Sequence, residues 1–401
     1  MSSHPHHRDG SGAFTRDRLT LLVYGMATAF GFAVAAMGPA MPSMREDLGM
    51  SRTVGGLHFT ALAAGSVLSG FVVERLIRRW ERRRVFWLGG VGVAAGAALI
   101  GIGPNPAVTL MGALLAGISG AAMLTVSQAT LSDHHPSHRS IALTEVNTAM
   151  SLGSVIPALL IGVTLAAGLG WRPAFFVPVL IVAGHRLALR GETFPPAPRE
   201  EPTTRRRRLP GAYWILWVAF IPAVGAEWSV GAWGADYLVE VAGTTRGTAS
   251  FLMTAFFGAM VMGRFLGSRV ARTVSPIPLL FGTSGVGLAG FLLFWGSSSV
   301  VPVVCGLLGA GLGISMQFPM ILSLSMGAAR GRSDIAAARM NISAGGAVLL
   351  APLTLGVIAD QAGIRAAFGL VPALFVIVVL LAILGRRMDR PPVSIAPSPS
   401  L

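Results

Sequence analysis

The stretch that decides the fold is Gly191–Leu209, GETFPPAPREEPTTRRRRL, near the middle of the 401-residue chain. It contains four prolines, three glutamates and five arginines. Proline removes a backbone hydrogen-bond donor, and so many charges cannot be buried without a large free-energy cost. We therefore expect a solvated linker here, with a similar length of strongly apolar chain on each side.

The composition around this linker is that of a membrane protein. The chain is 53% hydrophobic and only 12% charged, whereas soluble domains have about 25% charged residues. All 31 basic residues are arginines, and they cluster between apolar runs, where basic residues orient membrane helices. The net charge of +14 therefore does not indicate nucleic-acid binding. A single cysteine, Cys305, excludes an intrachain disulfide and a cysteine metal site.

The apolar runs have the length of membrane spans, since a spanning helix needs about 20 mostly apolar residues. We predict twelve spans, of which the sixth is shortened by His185 and Arg186. The predicted spans are Leu19–Pro42, Val54–Ile77, Val85–Gly103, Ala107–Leu131, Ile141–Leu169, Ala174–Leu189, Ala212–Val239, Gly247–Arg272, Pro276–Trp295, Val300–Gly327, Ile335–Ala359 and Arg365–Leu384.

The arginines predict the orientation of these spans. If the N-terminus is cytoplasmic, 26 of the 31 arginines lie on inner segments, as the positive-inside rule requires. The five outer arginines are then Arg45, Arg52, Arg172, Arg246 and Arg365. Both termini are therefore predicted to be cytoplasmic. The polar start, with His4, His6 and His7, is expected to be a flexible tail and has no signal-peptide pattern.

The two apolar halves resemble each other at an offset of about 193 residues. Gly65 and Gly70 match Gly258 and Gly263, and Ile141-Ala142 matches Ile335-Ala336. Because each half has an even number of spans, the repeats are parallel. The predicted fold is an all-α membrane protein with twelve transmembrane helices in two pseudo-symmetric six-helix bundles. Its predicted parts are a flexible N-terminus (1–18), a first bundle (19–190), a linker (191–211), a second bundle (212–387) and a tail (388–401).

This pattern resembles the major facilitator superfamily over nearly the whole chain. Gly70, Glu74 and Arg75, followed by Arg82–Arg84, are similar to the family's motif between the second and third helices. Glu74 stands where aspartate is common, one glycine of the motif is missing, and the run before the basic residues is longer than usual. A glycine-proline motif found in exporters matches only in part at Gly153–Pro157. The resemblance implies alternating access to one central site between the halves.

The strongest candidate for that site is Glu227, near the middle of the seventh span. A carboxylate at this depth costs several kcal/mol unless it faces a wet cavity, finds a partner or is protonated. We expect a role in substrate binding or proton coupling, the alternative being a structural carboxyl bonded to a neighbouring helix. Trp228 and Trp233 on the same span either line the cavity or pack between helices.

Four other polar residues in or next to the spans are considered as candidates for the site. The resemblance places Gln317 of the tenth span in the cavity, as a substrate contact. His58 in the second span is either a site residue or a packing residue that needs a hydrogen-bond partner. Asp236 and Glu240, near the outer end of the seventh span, are expected to be mostly solvated.

A second candidate set lies at the inner ends of the helices and comprises Glu74, Arg75, Glu145, Arg264 and Arg339. The resemblance places the second span beside the eleventh and the fifth beside the eighth. It therefore implies a cytoplasmic gate with two ion pairs between the halves, Glu74 with Arg339 and Glu145 with Arg264. The alternative is separate pairing of these residues with nearby loops.

No metal site or cofactor is expected. The Asp133–His138 loop, DHHPSH, contains possible ligands, but a cytoplasmic turn is favoured because no second acidic ligand is evident. No phosphate-cradling loop motif of nucleotide-binding proteins is present, so the expected energy source is the proton gradient.

The predicted function is a secondary active transporter, not an enzyme, that moves a small organic solute with proton coupling. Import and export both stay open, with a proton antiporter of drugs or metabolites as the alternative. A polytopic membrane enzyme or a non-transporting sensor are alternatives of other classes. The expected partners are the solute, protons and the lipid bilayer, with no nucleic acid. We expect a monomer with several spans in a bacterial cytoplasmic membrane.

Overall fold

The computed structural model of the protein describes residues 14–195, 209–329 and 333–389. The tail histidines, most of the linker with Arg205–Arg208, and the chain from residue 390 lie outside this part. Within it the α-helices are α1 (Arg18–Leu48), α2 (Arg52–Ile102), α3 (Pro106–His134), α4 (Arg139–Ala166), α5 (Val177–Leu189), α6 (Gly211–Glu240), α7 (Arg246–Val270), α8 (Pro276–Gly296), α9 (Val300–Ile314), α10 (Gln317–Ala328), α11 (Ser333–Ala362), α12 (Ile364–Ala367) and α13 (Leu370–Asp389). Short 3₁₀ helices span Pro136–His138 and Arg172–Phe176.

The helices confirm the prediction of twelve crossings. Among the described residues, eleven helical segments are long and apolar enough to cross a membrane. One of them, α2, has 51 residues and a length of roughly 77 Å at 1.5 Å per residue. That is more than twice the hydrocarbon thickness of about 30 Å, so α2 supplies two crossings. The tenth crossing is interrupted once, between α9 and α10.

The second and third spans are not separated by the loop that the sequence predicts. Helix α2 continues through the arginines at 78–84, and its one non-helical residue is Glu81, with φ 65° and ψ 156°. Arginine is a good helix former, and its long side chain reaches solvent from a helix. The basic run therefore stays helical, and the chain bends at a single residue.

Polar side chains fix where several helices begin. Asp17, Ser51, Asn105 and Thr245 each precede a helix and accept a hydrogen bond from a backbone amide of its first turn. These caps satisfy amides that have no partner within the helix. Helix α1 ends at Gly49 in a left-handed conformation with φ 60°, which glycine adopts without steric cost.

Among the described residues, the most extensive contacts between the two halves are those of α1 with α6, α2 with α11 and α4 with α7. The last two confirm the neighbours implied by the family resemblance. Small residues permit the approach, as is usual between helices in lipid. A Cβ atom on Gly38 of α1 would overlap the carbonyl oxygen of Gly231 on α6, and one on Gly56 of α2 would lie 2.8 Å from Leu353 Cα on α11.

Large apolar side chains also cover the outside of the bundle. Phe71, Leu180, Leu187 and Val301 are each at least 70% exposed. Many exposed large apolar side chains are expected where lipid chains are the solvent. The outward faces thus agree with a protein that crosses the membrane several times.

Candidate functional site

A cavity of about 100 Å³ lies where α1, α4, α6 and α7 converge, at the boundary between the halves. Its polar side chains are Glu227, Arg264, Ser151 and Ser154, and its apolar wall includes Trp228, Phe257 and Met260. Ser151 and Ser154 belong to the first half, whereas the charged residues belong to the second. A solute in this cavity would contact both halves.

Glu227 and Arg264 form an ion pair inside the cavity. Arg264 Nη2 lies 3.4 Å from Glu227 Oε1, and Arg264 Nη1 donates to Ser151 Oγ at 3.0 Å. The Glu227 side chain is 22% exposed, so the carboxylate is accessible from the cavity. Arg264 therefore joins a carboxylate of α6 to a hydroxyl of α4 across the boundary between the halves.

Only one of the two tryptophans predicted for the site borders this cavity. Trp228 lines it and meets Phe59 of α2 edge to face, with ring centroids 6.4 Å apart. Trp233 is fully buried and donates from Nε1 to the Pro352 carbonyl at 2.8 Å. The indole fits beside Gly55 and Gly356, where the absence of side chains leaves it room. The predicted cavity contact of Trp233 is thus wrong, and its alternative of helix packing holds.

His58 and Gln317 also lie away from the cavity. The His58 ring contacts the Val54 carbonyl through Nδ1 at 2.9 Å and the Thr109 hydroxyl through Nε2 at 2.8 Å. It therefore ties α2 to α3 within the first half, which is the packing interpretation. Gln317 is buried at the start of α10, and its Nε2 donates to Ser284 Oγ at 3.3 Å.

Charged residues connect the halves at the predicted outer end, in a cluster that we call the outer gate. Its members are Arg45, Glu46 and Arg52 of the first half and Asp236, Glu240, Arg246 and Asp360 of the second. Arg45 donates to Asp236 at 2.5 Å, and further ion pairs join Arg52 to Glu240 and Arg246 to Glu46. The expectation that Asp236 is solvated is wrong, because this residue is only 4% exposed.

The seventh member of the outer gate, Asp360 of α11, binds the start of α2. Its carboxylate accepts from the backbone amides of Arg52 at 2.9 Å and Thr53 at 2.7 Å, and from the Thr53 hydroxyl at 2.7 Å. Helix amides at this position have no partner in their own helix. A side chain of one half thus completes the hydrogen bonding of a helix in the other.

The two ion pairs predicted for a cytoplasmic gate are absent among the described contacts. Glu145 pairs with Arg16 at 2.5 Å and also accepts from the Tyr24 hydroxyl at 3.1 Å. Its predicted partner Arg264 lies in the cavity, where it contacts Glu227 and Ser151. The spacing of six residues between Glu145 and Ser151, about 9 Å along α4, separates the two.

The other predicted pair fails because both side chains have local partners. Glu74 lies 3.8 Å from Arg78, one turn along the same helix, and both are highly exposed. The Arg339 guanidinium lies over the Trp214 ring, 5.0 Å from its centroid. The alternative of local pairing therefore describes these residues, while the roles of Glu74, Arg75 and Arg339 in gating remain predictions.

Sequence reasoning missed the outer gate, although a signal was present. Three of the five arginines that break the positive-inside rule, Arg45, Arg52 and Arg246, are members of it. Arginines are disfavoured on the outer side of a membrane protein, and each of these three is paired with a carboxylate. Nothing in the sequence indicated the contact of Arg264 with Glu227. Glu227 was predicted as a residue of the central site, whereas Arg264 was predicted as a gate residue paired with Glu145.

Comparison with known proteins agrees with this architecture. The family model of the Major Facilitator Superfamily matches residues 23–346. An uncharacterized MFS-type transporter of Yersinia pestis is 24% identical over 94% of this chain and 98% of its own length. The puromycin resistance protein pur8 of Streptomyces alboniger is 29% identical over 77% of this chain and 63% of its own length.

Solved structures show the same fold. A bacterial homologue of the human lysosomal transporter Spinster, inward-facing and occupied, superposes with a TM-score of 0.76 at 15% identity, covering 96% of this chain and 98% of that one. A D-xylose-proton symporter gives a TM-score of 0.72 at 14% identity, covering 92% and 96%. With twelve crossings in two halves, a cavity between them and a family match over most of its length, this chain belongs to the Major Facilitator Superfamily of membrane transporters.

Proposed function

We propose that the protein is a secondary active transporter that couples proton movement to the transport of a small amphipathic organic solute, with Glu227 as the proton-binding group. The observation that carries this proposal is the ion pair of Glu227 with Arg264 inside the cavity between the halves. Coupling requires a group that gains and loses a proton where the solute binds, and Glu227 is such a group.

The energetics of the pair link proton binding to the freedom of Arg264. A carboxylate inside the membrane costs several kcal/mol, and the guanidinium at 3.4 Å offsets part of this cost. Protonation neutralises Glu227 and removes the attraction. Arg264, whose side chain is 38% exposed, then loses its carboxylate partner. It needs a new acceptor, and a polar group of the solute supplies one.

The contact of Arg264 with Ser151 extends this exchange to the boundary between the halves. Ser151 lies on α4 of the first half, so the 3.0 Å hydrogen bond changes when Arg264 turns to another partner. At the predicted outer end, the ion pairs of the outer gate also join the two halves. We infer that solute and proton binding shift the balance between this state and one in which the outer gate is open.

The cavity wall favours an amphipathic solute over a sugar. Trp228, Phe257 and Met260 form a large part of the wall, whereas the hydroxyls of Ser151 and Ser154 are among its few polar groups. A sugar would leave several hydroxyls without partners there, and an unpaired buried polar group costs about 1–3 kcal/mol. An apolar or aromatic body with one hydrogen-bonding group matches the wall better.

Proton-coupled transport of an amphipathic solute could run in either direction, and one relative favours export. The relative named as a puromycin resistance protein matches over 326 residues at 29% identity, and resistance by a transporter results from removal of the compound. The match to a plastidic glucose transporter of Arabidopsis thaliana extends over only 157 residues. We therefore place proton-driven export ahead of sugar import.

Flux measurements in proteoliposomes test the proposal. We would reconstitute the full chain, impose a pH gradient in either direction and follow radiolabelled puromycin, with D-xylose as the sugar probe. Puromycin flux should depend on the gradient and fall at least tenfold in Glu227→Gln. Glu192→Gln is the matched control, because that carboxylate lies 3.9 Å from Arg18 and away from the cavity; its flux should be unchanged.

Each result has a distinct meaning for the proposal. Equal flux and equal pH dependence in Glu227→Gln would remove Glu227 from coupling. Gradient-driven flux of D-xylose in place of puromycin would overturn the proposed solute class and retain the coupling. A protein that is thermally stabilised by a probe and yet carries no flux would instead fit the sensor alternative.

A further inference from the structure

A separate group of reactive side chains lies at the predicted inner end of the first half, away from the cavity. Asp17 precedes α1, while His134 and His135 are at the end of α3. Each of the three offers one ligand atom, and these atoms all lie within 4.8 Å of one another. The acidic member is Asp17, since Asp133 pairs with Arg82 at 2.6 Å.

We propose that Asp17, His134 and His135 bind a divalent transition-metal ion such as Zn²⁺. The ion would fasten the segment before α1, residues 14–17, to the turn that follows α3. This site was not predicted from the sequence, because the acidic ligand lies 117 residues before His134. Folding supplies the ligand that the histidine loop lacks.

The donor set and spacing suit such an ion. Two imidazoles and one carboxylate are common ligands of Zn²⁺, with bonds of about 2.0–2.2 Å. In a tetrahedral site the ligand atoms are therefore about 3.3 Å apart. Because the ligand atoms already lie within 4.8 Å of one another, side-chain shifts of roughly 1–1.5 Å bring the cluster to that spacing. Three protein ligands leave one position for water, and the partial exposure of all three residues leaves a path for the ion.

The local charges also permit a cation. Asp17 supplies a carboxylate whose Oδ1 accepts hydrogen bonds from the Thr20 amide at 2.9 Å and the Thr20 hydroxyl at 2.7 Å. Neighbouring Arg16 is neutralised by Glu145, and Arg82 forms an ion pair with Asp133. A metal ion here would therefore lie near two arginines, Arg16 and Arg82, that already have carboxylate partners.

The present contacts hold the ligands close to one another. Asp17 Oδ2 lies 2.5 Å from His134 Nε2, and His135 Nε2 lies 2.8 Å from the Thr20 hydroxyl. The other oxygen, Asp17 Oδ1, accepts from the Thr20 amide at 2.9 Å as the cap of α1. Metal binding would replace the contact between Asp17 and His134 and leave this cap in place.

Bound metal would act on the segment that contacts α4. Arg16, beside Asp17, donates two hydrogen bonds to Glu145 of α4, at 2.5 and 2.8 Å. The Phe14 ring meets His135 edge to face at 4.8 Å. A metal ion between Asp17 and the histidines would hold this segment more firmly on α4, the helix that also presents Ser151 to Arg264.

Metal binding to the purified full chain tests the proposal. The chain would carry a purification tag without histidine and the substitutions His4→Ala, His6→Ala and His7→Ala, because those tail histidines would bind metal on their own. Equilibrium dialysis against micromolar Zn²⁺ should give one ion per chain. His134→Gln and Asp17→Asn should each weaken binding at least tenfold, and asparagine keeps the helix cap. His185→Gln, in α5, is the matched control and should bind as the parent does.

Cleavage by trypsin provides a second measurement, independent of equilibrium dialysis. The bond after Arg16 lies within the fastened segment, so Zn²⁺ should slow its cleavage at least fivefold in the parent and not in Asp17→Asn. The thermal midpoint without metal identifies variants that fail to fold. A parent that binds no Zn²⁺ at tens of micromolar, or variants that bind it with unchanged affinity, would overturn the proposal.

Discussion

The guanidinium of Arg45 donates a hydrogen bond of 2.5 Å to the carboxylate of Asp236, joining α1 of the first half to α6 of the second. The exposed fractions of the two side chains are 18% and 5%. Removing one member of a buried ion pair leaves an uncompensated charge, at a cost of about 3–5 kcal/mol. Here an opening of the predicted outer end would relieve that cost by hydrating the charge.

Arg45→Met should therefore shift the protein towards a state that is open at the predicted outer end. In a Cys305→Ser background, Ala35→Cys places a thiol in the cavity wall. Labelling by a membrane-impermeant maleimide added outside should be at least tenfold faster with Arg45→Met. Adding Asp236→Leu removes the unpaired charge and should slow labelling again. Equal rates in all three proteins would exclude a gating role for the pair.

The close approach of α1 to α6 predicts opposite results for two glycines in one contact. A Cβ atom on Gly38 would overlap the Gly231 carbonyl oxygen, whereas one on Gly231 would lie 3.7 Å from the Phe257 ring, an ordinary contact. Gly38→Ala should destabilise the protein by about 1–3 kcal/mol, as overpacking does. Gly231→Ala should be close to neutral. Thermal unfolding in detergent measures both, and a similar loss in the two variants would contradict the packing described.

Two tryptophans of α6, Trp228 and Trp233, are five positions apart and should have separable roles. Trp228 lines the cavity, so Trp228→Phe should raise KM for the transported solute several-fold with little change in thermal stability. Trp233 donates to the Pro352 carbonyl away from the cavity. Trp233→Phe should lower stability by about 1 kcal/mol, the net worth of a hydrogen bond, and leave KM unchanged. Flux kinetics together with thermal unfolding distinguish them; the reverse pattern would mean that Trp233 faces the solute.

The partner of Glu145 can be identified by charge reversal. Glu145→Arg should detach the segment before α1, because Arg16 loses the carboxylate that it contacts at 2.5 and 2.8 Å. Hydrogen exchange followed by mass spectrometry should then be faster for residues 14–20. Adding Arg16→Glu should restore protection, while adding Arg264→Glu should not. If protection returned in Glu145→Arg with Arg264→Glu but not in Glu145→Arg with Arg16→Glu, the ion pair between the halves that the family resemblance implies would be supported instead.

Much of the fold could be predicted from the sequence, because a membrane imposes its requirements along the chain. Span length follows from bilayer thickness, and this locates α6 at Gly211–Glu240 against a predicted Ala212–Val239. The prediction failed at Glu81, where the second and third spans form one helix with a single bend. Charge density marked that stretch as polar, but a solvated basic run forms either a loop or a helix.

The candidate site was predictable only in part. Glu227 stood out because a carboxylate is expensive at mid-membrane, and the cavity indeed contains it. Trp228 and Trp233 were indistinguishable by composition and depth. Their directions around α6 depend on which neighbours the helix has, and Gly55 with Gly356 provides the space that draws Trp233 away from the cavity.

The sequence by itself determined the number of crossings, the two-fold repeat and the identity of the charged residues within the spans. Such residues have a high free-energy cost in lipid unless they have a partner, face water or are neutralised. Only the tertiary structure decided which charges meet. Glu227 and Arg264 are 37 positions apart, Arg45 and Asp236 are 191 apart, and Asp17 and His134 are 117 apart. Hydrophobic length and charge are properties of each segment alone. A contact between two side chains depends on the rotation and tilt of both helices, which are set by packing against all their neighbours at once.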